Sequence, residues 1–239
     1  MCGSQLASLL FATIGFACVA YRLHGINSLQ PAAQQKNFYT NLGNVVPLFV
    51  YSMMELTQGI QYSYVDHCDS KVNFYLTALA YILLWVQPSM WIWVMRLRTL
   101  KNKKVMTAFW YMSLFTMVMG LAKLFTPIGY SSLLKSSDGG LLTNGSKTCA
   151  YLGENHLAWQ FAMNHWKGME PNYFAYLLPW FFATFWVEPR FEGYRLLLSF
   201  AGGLIASYLY YGYTDELPSA WCFWSIPMLL TGSLFQAKF

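Results

Sequence analysis

Long apolar runs separated by short polar connectors set the pattern of this chain. The runs cover approximately Leu6–Tyr21, Val45–Tyr64, Phe74–Met95, Val105–Phe125, Tyr173–Val187, Leu196–Tyr211 and Leu217–Phe235. A spanning helix rises about 1.5 Å per residue through a hydrocarbon core roughly 30 Å thick, so it needs about 17 to 25 mostly apolar residues. The pattern predicts an all-α polytopic integral membrane protein, a bundle of about seven transmembrane helices in a single domain over residues 1–239. One long connector, about Thr126–Asn172, separates the fourth run from the fifth.

Composition strengthens this reading. The 239 residues are 56% hydrophobic, 19% aromatic and 10% charged, whereas a soluble domain carries about 25% charged residues. The net charge of +5 argues for nucleic acid only where basic residues form a patch, and here they sit in short loops. Arg96-Leu97-Arg98-Thr99-Leu100-Lys101-Asn102-Lys103-Lys104 is the most basic connector, and positively charged loops stay cytosolic. Placing it inside also places Arg22, Lys36, Arg190, Arg195 and Lys238 inside, and Asp66, Asp69, Asp215 and Glu216 outside. The N-terminus is then outside and the C-terminus cytosolic, in a secretory-pathway or cell-surface membrane. The first run also has the length of a signal-peptide core, but Met1–Gln5 lacks a basic residue and Arg22 follows the run, which favours an uncleaved helix.

The long connector falls outside under this topology and carries Asn144-Gly145-Ser146, a glycosylation acceptor triplet at a turn-rich tip. It also carries Cys149, while Cys68 lies in the outer loop before the third run. Both face an oxidising compartment, so a Cys68–Cys149 disulfide is expected to tether the loop across the bundle mouth. Cys2, Cys18 and Cys222 read as small hydrophobes. Past Cys149, the segment Glu154–Trp166 places Leu157 with Phe161, and Trp159 with Met163 and Trp166, at helical spacings. That predicts a short amphipathic helix lying at the outer interface or capping the bundle.

Ionisable groups inside a membrane cost roughly 2.5 to 3.5 kcal/mol on insertion scales and are default candidates for function. Glu55 lies within the second run, and steps of three put Gln58 and Gln61 on its face. Gln87 precedes Pro88 in the third run, where proline removes a backbone donor and marks a kink or cavity. Antiparallel packing brings Gln87 to the depth of Glu55, so Glu55, Gln58, Gln61 and Gln87 form the expected intramembrane binding cluster. The bland alternative is helix-to-helix hydrogen bonding, worth about 0.6 kcal/mol per contact. Lys123 is close enough to the outer surface to snorkel as an anchor. Glu188 and Glu192 interleave with Arg190 and Arg195 in an inner turn. Trp85, Trp91, Trp93, Trp180, Trp186, Trp221 and Trp224 suit interfacial belts or, less commonly, an apolar pocket.

The outer N-terminus and the expected cystine resemble the architecture of G-protein-coupled receptors. The motifs depart from it: Val94-Met95-Arg96-Leu97-Arg98 lacks the acid-arginine-aromatic triplet, and Ser225-Ile226-Pro227-Met228 lacks the asparagine-proline-tyrosine pattern. A retinal Schiff base needs a lysine in the middle of the last helix, where only the terminal Lys238 is present. A closer similarity is carried by Met54-Glu55-Leu56-Thr57-Gln58-Gly59-Ile60-Gln61-Tyr62, Cys68 with Asn73, Gln87-Pro88, and Thr148-Cys149 followed by His156-Leu157-Ala158-Trp159. Over about Val45–Trp159 the chain resembles an uncharacterised family of multi-span proteins of unicellular eukaryotes and their large viruses. The resemblance implies one intact membrane unit and brings no activity.

Catalysis has little support. The histidines are His24, His67, His156 and His165, all outside the runs, and His156 and His165, with Glu154 or His67, are the candidates for an outer metal or acid–base site. No phosphate loop, Cys-x-x-Cys pair, Gly-x-Ser-x-Gly elbow or internal repeat is present, and no cofactor is called for. Pro47, Pro88, Pro179 and Pro227 interrupt or flank four runs, as transporter helices often show. The expected function is small-solute, ion or proton transport through the polar site centred on Glu55. A receptor-like or sensory protein binding a small ligand is the alternative, and a membrane enzyme using the outer histidines the third reading. The expected partners are the lipid bilayer and a small solute or ion.

Overall fold

Over their described residues the apolar runs fold mainly as helices in the computed structural model, which describes residues 4–27, 31–99, 101–125, 147–162, 173–188, 190–212, 216–222 and 224. The elements are α1 Gln5–Asn27, α2 Pro31–Gln61, α3 Lys71–Arg98, α4 Lys103–Phe125, β1 Cys149–Leu152, β2 Leu157–Gln160, α5 Tyr173–Thr184 and α6 Arg190–Tyr211. Residues 217–222 are also helical. Three helical stretches, Gln5–Gly25, Lys71–Leu97 and Lys103–Leu124, are long and apolar enough to cross a membrane. The architecture is therefore mostly helical with apolar helices of spanning length. α2 extends well before the predicted start at Val45, because Pro31 suits a first helical turn where its missing N–H is not needed.

α3 is the central helix: 72% of its most apolar window is buried, against 22% in α1 and 17% in α4. Around it α2 and α4 pack through close backbone approaches. A Cβ on Gly120 of α4 would collide with the Trp85 indole of α3, and the Tyr81 hydroxyl donates to the Gly120 carbonyl at 2.8 Å. Ser70 caps α3, its side chain accepting from the Val72 N–H at 3.2 Å, and the helix runs through Pro88 without a break. The outward faces of the peripheral helices are apolar. Leu6, Leu10 and Ile14 on α1, Tyr111, Phe115 and Val118 on α4, and Leu198, Ile205 and Leu209 on α6 are all exposed at helical spacing.

The ends of the elements gather in two groups. At one end Gln5 of α1 donates to Ser63 after α2, and the loop 62–70 meets β1 through Asp66. At the other, Asn102 reaches the Trp186 carbonyl and the Glu188 carboxylate, both at 3.4 Å.

The predicted amphipathic helix over Glu154–Trp166 is not formed across its described part. Residues 149–160 make an antiparallel hairpin instead, pairing Cys149 with Gln160, Ala150 with Trp159, Tyr151 with Ala158 and Leu152 with Leu157. Leu157, Trp159 and Phe161 step by two as well as matching helical spacings, and all are fully buried. The mostly helical fold therefore carries a short two-stranded hairpin. Lys123 also departs from its assignment as a snorkelling anchor. It lies one turn from Gly120 on the α4 face that meets α3, and is fully buried.

Several tryptophans assigned to interfacial belts lie in the interior. Trp91, Trp180 and Trp221 form a stacked column with centroids 6.1 and 5.9 Å apart, tying α3 to α5 and to residues 217–222. Trp85 is also buried, whereas Trp186 is exposed. Apolar enrichment in sequence does not tell a lipid-facing ring from a core ring.

Candidate functional site

Steps of three along α2 build a polar wall. Glu55 and Gln58 are 0% exposed and Gln61 1%, so this wall faces the bundle interior. Gly59 lets α1 approach: a Cβ there would stand 2.6 Å from the Leu9 side chain. The close approach brings Ser8 of α1 to face the Glu55 carboxyl, outside ordinary hydrogen-bond geometry. Both Glu55 carboxyl oxygens, the Ser8 hydroxyl and the Gln58 carbonyl oxygen are buried without a hydrogen-bond partner among the described residues. In protein interiors such groups are normally satisfied, so four unsatisfied oxygens on adjoining turns are unusual.

The helical residues 217–222 close this region from a third side. Gln58 Nε2 donates to the Ser219 carbonyl at 3.3 Å, and Gln87 Nε2 to Cys222 Sγ at 3.5 Å. Cys222 is within electrostatic reach of Glu55. Gln87 is thus linked to the surroundings of Glu55 through Cys222, and no glutamine among the described residues hydrogen-bonds Glu55.

Gln61 serves a different purpose. Its Nε2 donates to Thr77 Oγ1 at 3.2 Å and its Oε1 accepts from the Trp159 indole at 3.2 Å. Thr77 passes the chain of bonds on to Asn73 Oδ1 at 3.0 Å. Asn73 in turn grips the hairpin, donating to the Ala150 carbonyl and accepting from the Ala150 N–H, both at 2.8 Å. Gln61 therefore fastens the hairpin to α2 and α3 rather than lining the space around Glu55.

The hairpin covers this end of the wall and is latched at several points. The expected Cys68–Cys149 disulfide is formed, and Lys147 pairs with Asp69 at 2.7 Å. Lys147 holds the exposed Asp69 carboxyl below the usual range. The Glu216 carboxylate accepts the Glu154 N–H at 2.6 Å and the Asn155 N–H at 3.2 Å, capping the hairpin turn. A Cβ at Gly153 would displace that carboxylate.

His156, a candidate metal or acid–base residue, is fully buried beneath the turn. Its Nδ1 accepts from the Leu157 N–H at 2.8 Å and faces the Ser219 hydroxyl at 3.1 Å, and that hydroxyl also contacts the Leu157 carbonyl. An accepting Nδ1 puts the proton of the neutral ring on Nε2. Burial pushes the imidazole down to about 4, against the smaller upward influence of the Leu157 backbone. Among the described residues no group of three His, Cys, Asp or Glu side chains could hold a metal ion. His165 and Asn144 lie outside the described residues.

Ser8, Thr77, Ser219 and Glu216 take part in these contacts without a signal in the sequence that marks them. A serine one turn from the start of an apolar helix carries no distinguishing signal, and the acid before residues 217–222 reads as an ordinary outer-loop charge. Asn73 stood in the family-like motif, but its bond to Ala150 spans 77 positions.

Residues 8–238 match the model of a family of unknown function (DUF5765), in keeping with the resemblance to a family without an assigned activity. No curated protein and no solved structure matches the chain.

Proposed function

We propose, for a chain that belongs to the DUF5765 family, transport of a small solute, ion or proton across a membrane through a site centred on Glu55. One observation carries the reading: a fully buried carboxyl, without a hydrogen-bond partner among the described residues, stands inside a bundle whose outer helices present apolar faces. A group so expensive to hold in low dielectric is retained where it exchanges a charge. A purely structural acid would have acquired a partner.

The membrane arrangement that goes with this reading has seven spans, an outer N-terminus and an inner C-terminus. The spanning length of Gln5–Gly25, Lys71–Leu97 and Lys103–Leu124 supports it. So does the gathering of Gln5, Ser63, the hairpin and Glu216 at one end, away from Lys101 and Asn102. Proline inside α2, α3 and α5 supports it further, since each proline lacks the N–H that would bond the carbonyl one turn earlier.

The test is flux in vesicles reconstituted with the full chain. Proton and alkali-ion fluxes above those of empty vesicles, lost in Glu55→Gln protein of unchanged elution profile, are expected. Equal flux from both proteins would overturn the assignment to Glu55. Saturable binding of a small ligand with no flux would replace transport by a receptor-like role.

A further inference from the structure

We propose that the species held at Glu55 is a monovalent alkali cation that exchanges one for one with a proton. The inference rests on the reading above, because it takes the site to lie in a membrane interior. It names the chemical class of the ligand from charge and donor type.

Charge selects the valence. Glu55 has no ion-pair partner among the described residues, and the side chains shown to reach it are neutral: Ser8 from α1, Gln58 one turn along its own helix, and Cys222 from residues 217–222, itself bonded to Gln87. Of these only the Cys222 thiol titrates. One carboxylate is neutralised by one unit of positive charge. A divalent ion would leave a net charge in a low-dielectric interior, which is costly to hold there. Divalent sites also gather several acidic ligands, and no such group occurs among the described residues.

Donor type selects a hard cation. The atoms left over are Glu55 Oε1 and Oε2, Gln58 Oε1 and Ser8 Oγ, all oxygen and all buried. Carboxylate and carbonyl oxygens suit hard cations, while soft metals prefer sulfur and imidazole. The Gln58 amide is oriented for this, since its Nε2 is engaged by the Ser219 carbonyl and its oxygen is left over. The geometry also disfavours a bulky organic cation. Leu9 abuts Gly59 so closely, at 2.6 Å from the position of a Cβ, that α1 leaves little lateral room beside the wall.

A proton and the cation then compete for one carboxylate: when the proton adds to a Glu55 oxygen, the cation leaves with its single charge, and the reverse step releases the proton. Neither form leaves the site with net charge.

The experiment is sodium titration of the full chain in detergent by calorimetry, in buffers free of alkali ions. Expected are one site per chain and an apparent affinity that falls about tenfold per pH unit once the carboxyl protonates. Binding is lost in Glu55→Gln and weakened about fivefold in Ser8→Ala, which keeps the charge and loses one oxygen. Calcium does not displace the sodium. Equal sodium binding by wild type and Glu55→Gln overturns the proposal, as does tighter binding of calcium. Sodium binding that depends on Glu55, in protein giving neither sodium nor proton flux, upholds the ligand and overturns transport. Glu55-dependent proton flux without sodium binding does the opposite.

Discussion

Asn73 and Ala150 form a reciprocal pair across 77 positions: the side-chain amide donates to the backbone carbonyl and accepts from the backbone N–H, each at 2.8 Å. The carboxamide thus copies the pairing of a neighbouring strand and docks β1 on α3 without one.

That geometry makes Asn73 irreplaceable by its nearest relatives. Asn73→Ala strands the buried Ala150 N–H and removes the 2.7 Å donor from the Tyr64 carbonyl. An unsatisfied buried group costs about 1–3 kcal/mol. Asn73→Asp keeps the acceptor but loses both donor contacts and adds a buried charge, so it is the more damaging change. Amide exchange over residues 149–161 should accelerate in both variants, more in the aspartate. Unchanged exchange would show that the disulfide alone holds the hairpin.

Cys68 and Cys149 close a loop 81 positions apart. Chain-entropy reasoning gives roughly 4–5 kcal/mol for a loop of that length closing a fully flexible chain. α3 and α4 occupy most of this loop and already restrict it, so the expected loss on reduction is smaller, about 2 kcal/mol. Thermal unfolding in detergent with and without reductant, compared with Cys68→Ser, checks this. The variant should melt at the reduced temperature and ignore the reductant. Cys18 and Cys222, the free cysteines among the described residues, then have no part in the effect.

How much of this was legible depended on whether a residue's meaning was local. Helix positions followed from the apolar runs, and the Cys68–Cys149 bond followed from asking which cysteines an outer loop contains. The hairpin did not, because Leu157, Trp159 and Phe161 have a period of two while Leu157 with Phe161, and Trp159 with Met163 and Trp166, also stand at helical spacings. The choice is made by distant partners: Gln61 on the Trp159 indole, Asn73 on Ala150, Glu216 on the turn. The wall Glu55–Gln58–Gln61 was readable as a face of one helix. Its division was not, since Thr77 draws Gln61 into the latch while Ser219 engages Gln58. Nothing in the first run foretold that Gly59 would admit α1 and set Ser8 opposite the acid.

Glu55→Gln should stabilise the protein while removing the proposed transport. The amide has the shape of the acid and leaves no charge buried without a counter-ion, a change worth about 1–3 kcal/mol. For a chain of this size each kcal/mol raises Tm by about 2–4 °C. Melting in alkali-free buffer at pH 8 should show the gain, and added sodium should narrow it by stabilising only the wild type. A lower Tm in Glu55→Gln under both conditions would mark the carboxyl as a structural member of the bundle.

His156 makes the hairpin sensitive to acid. Its folded value of about 4 lies below the 6.5 of an exposed imidazole, so between those values the unfolded chain binds a proton that the folded chain excludes. Stability contributed by the neutral ring is therefore complete above about pH 6.5, declines as pH falls, and is lost by about pH 4. The full difference amounts to roughly 3 kcal/mol. Protonation also turns Nδ1 from acceptor to donor, opposing the Leu157 N–H that it now receives. His156→Gln removes the titration, so the Tm difference between wild type and variant should shrink or reverse from pH 7 to pH 4.5 as the wild type alone loses this contribution. Parallel curves over that range would place the acid sensitivity elsewhere.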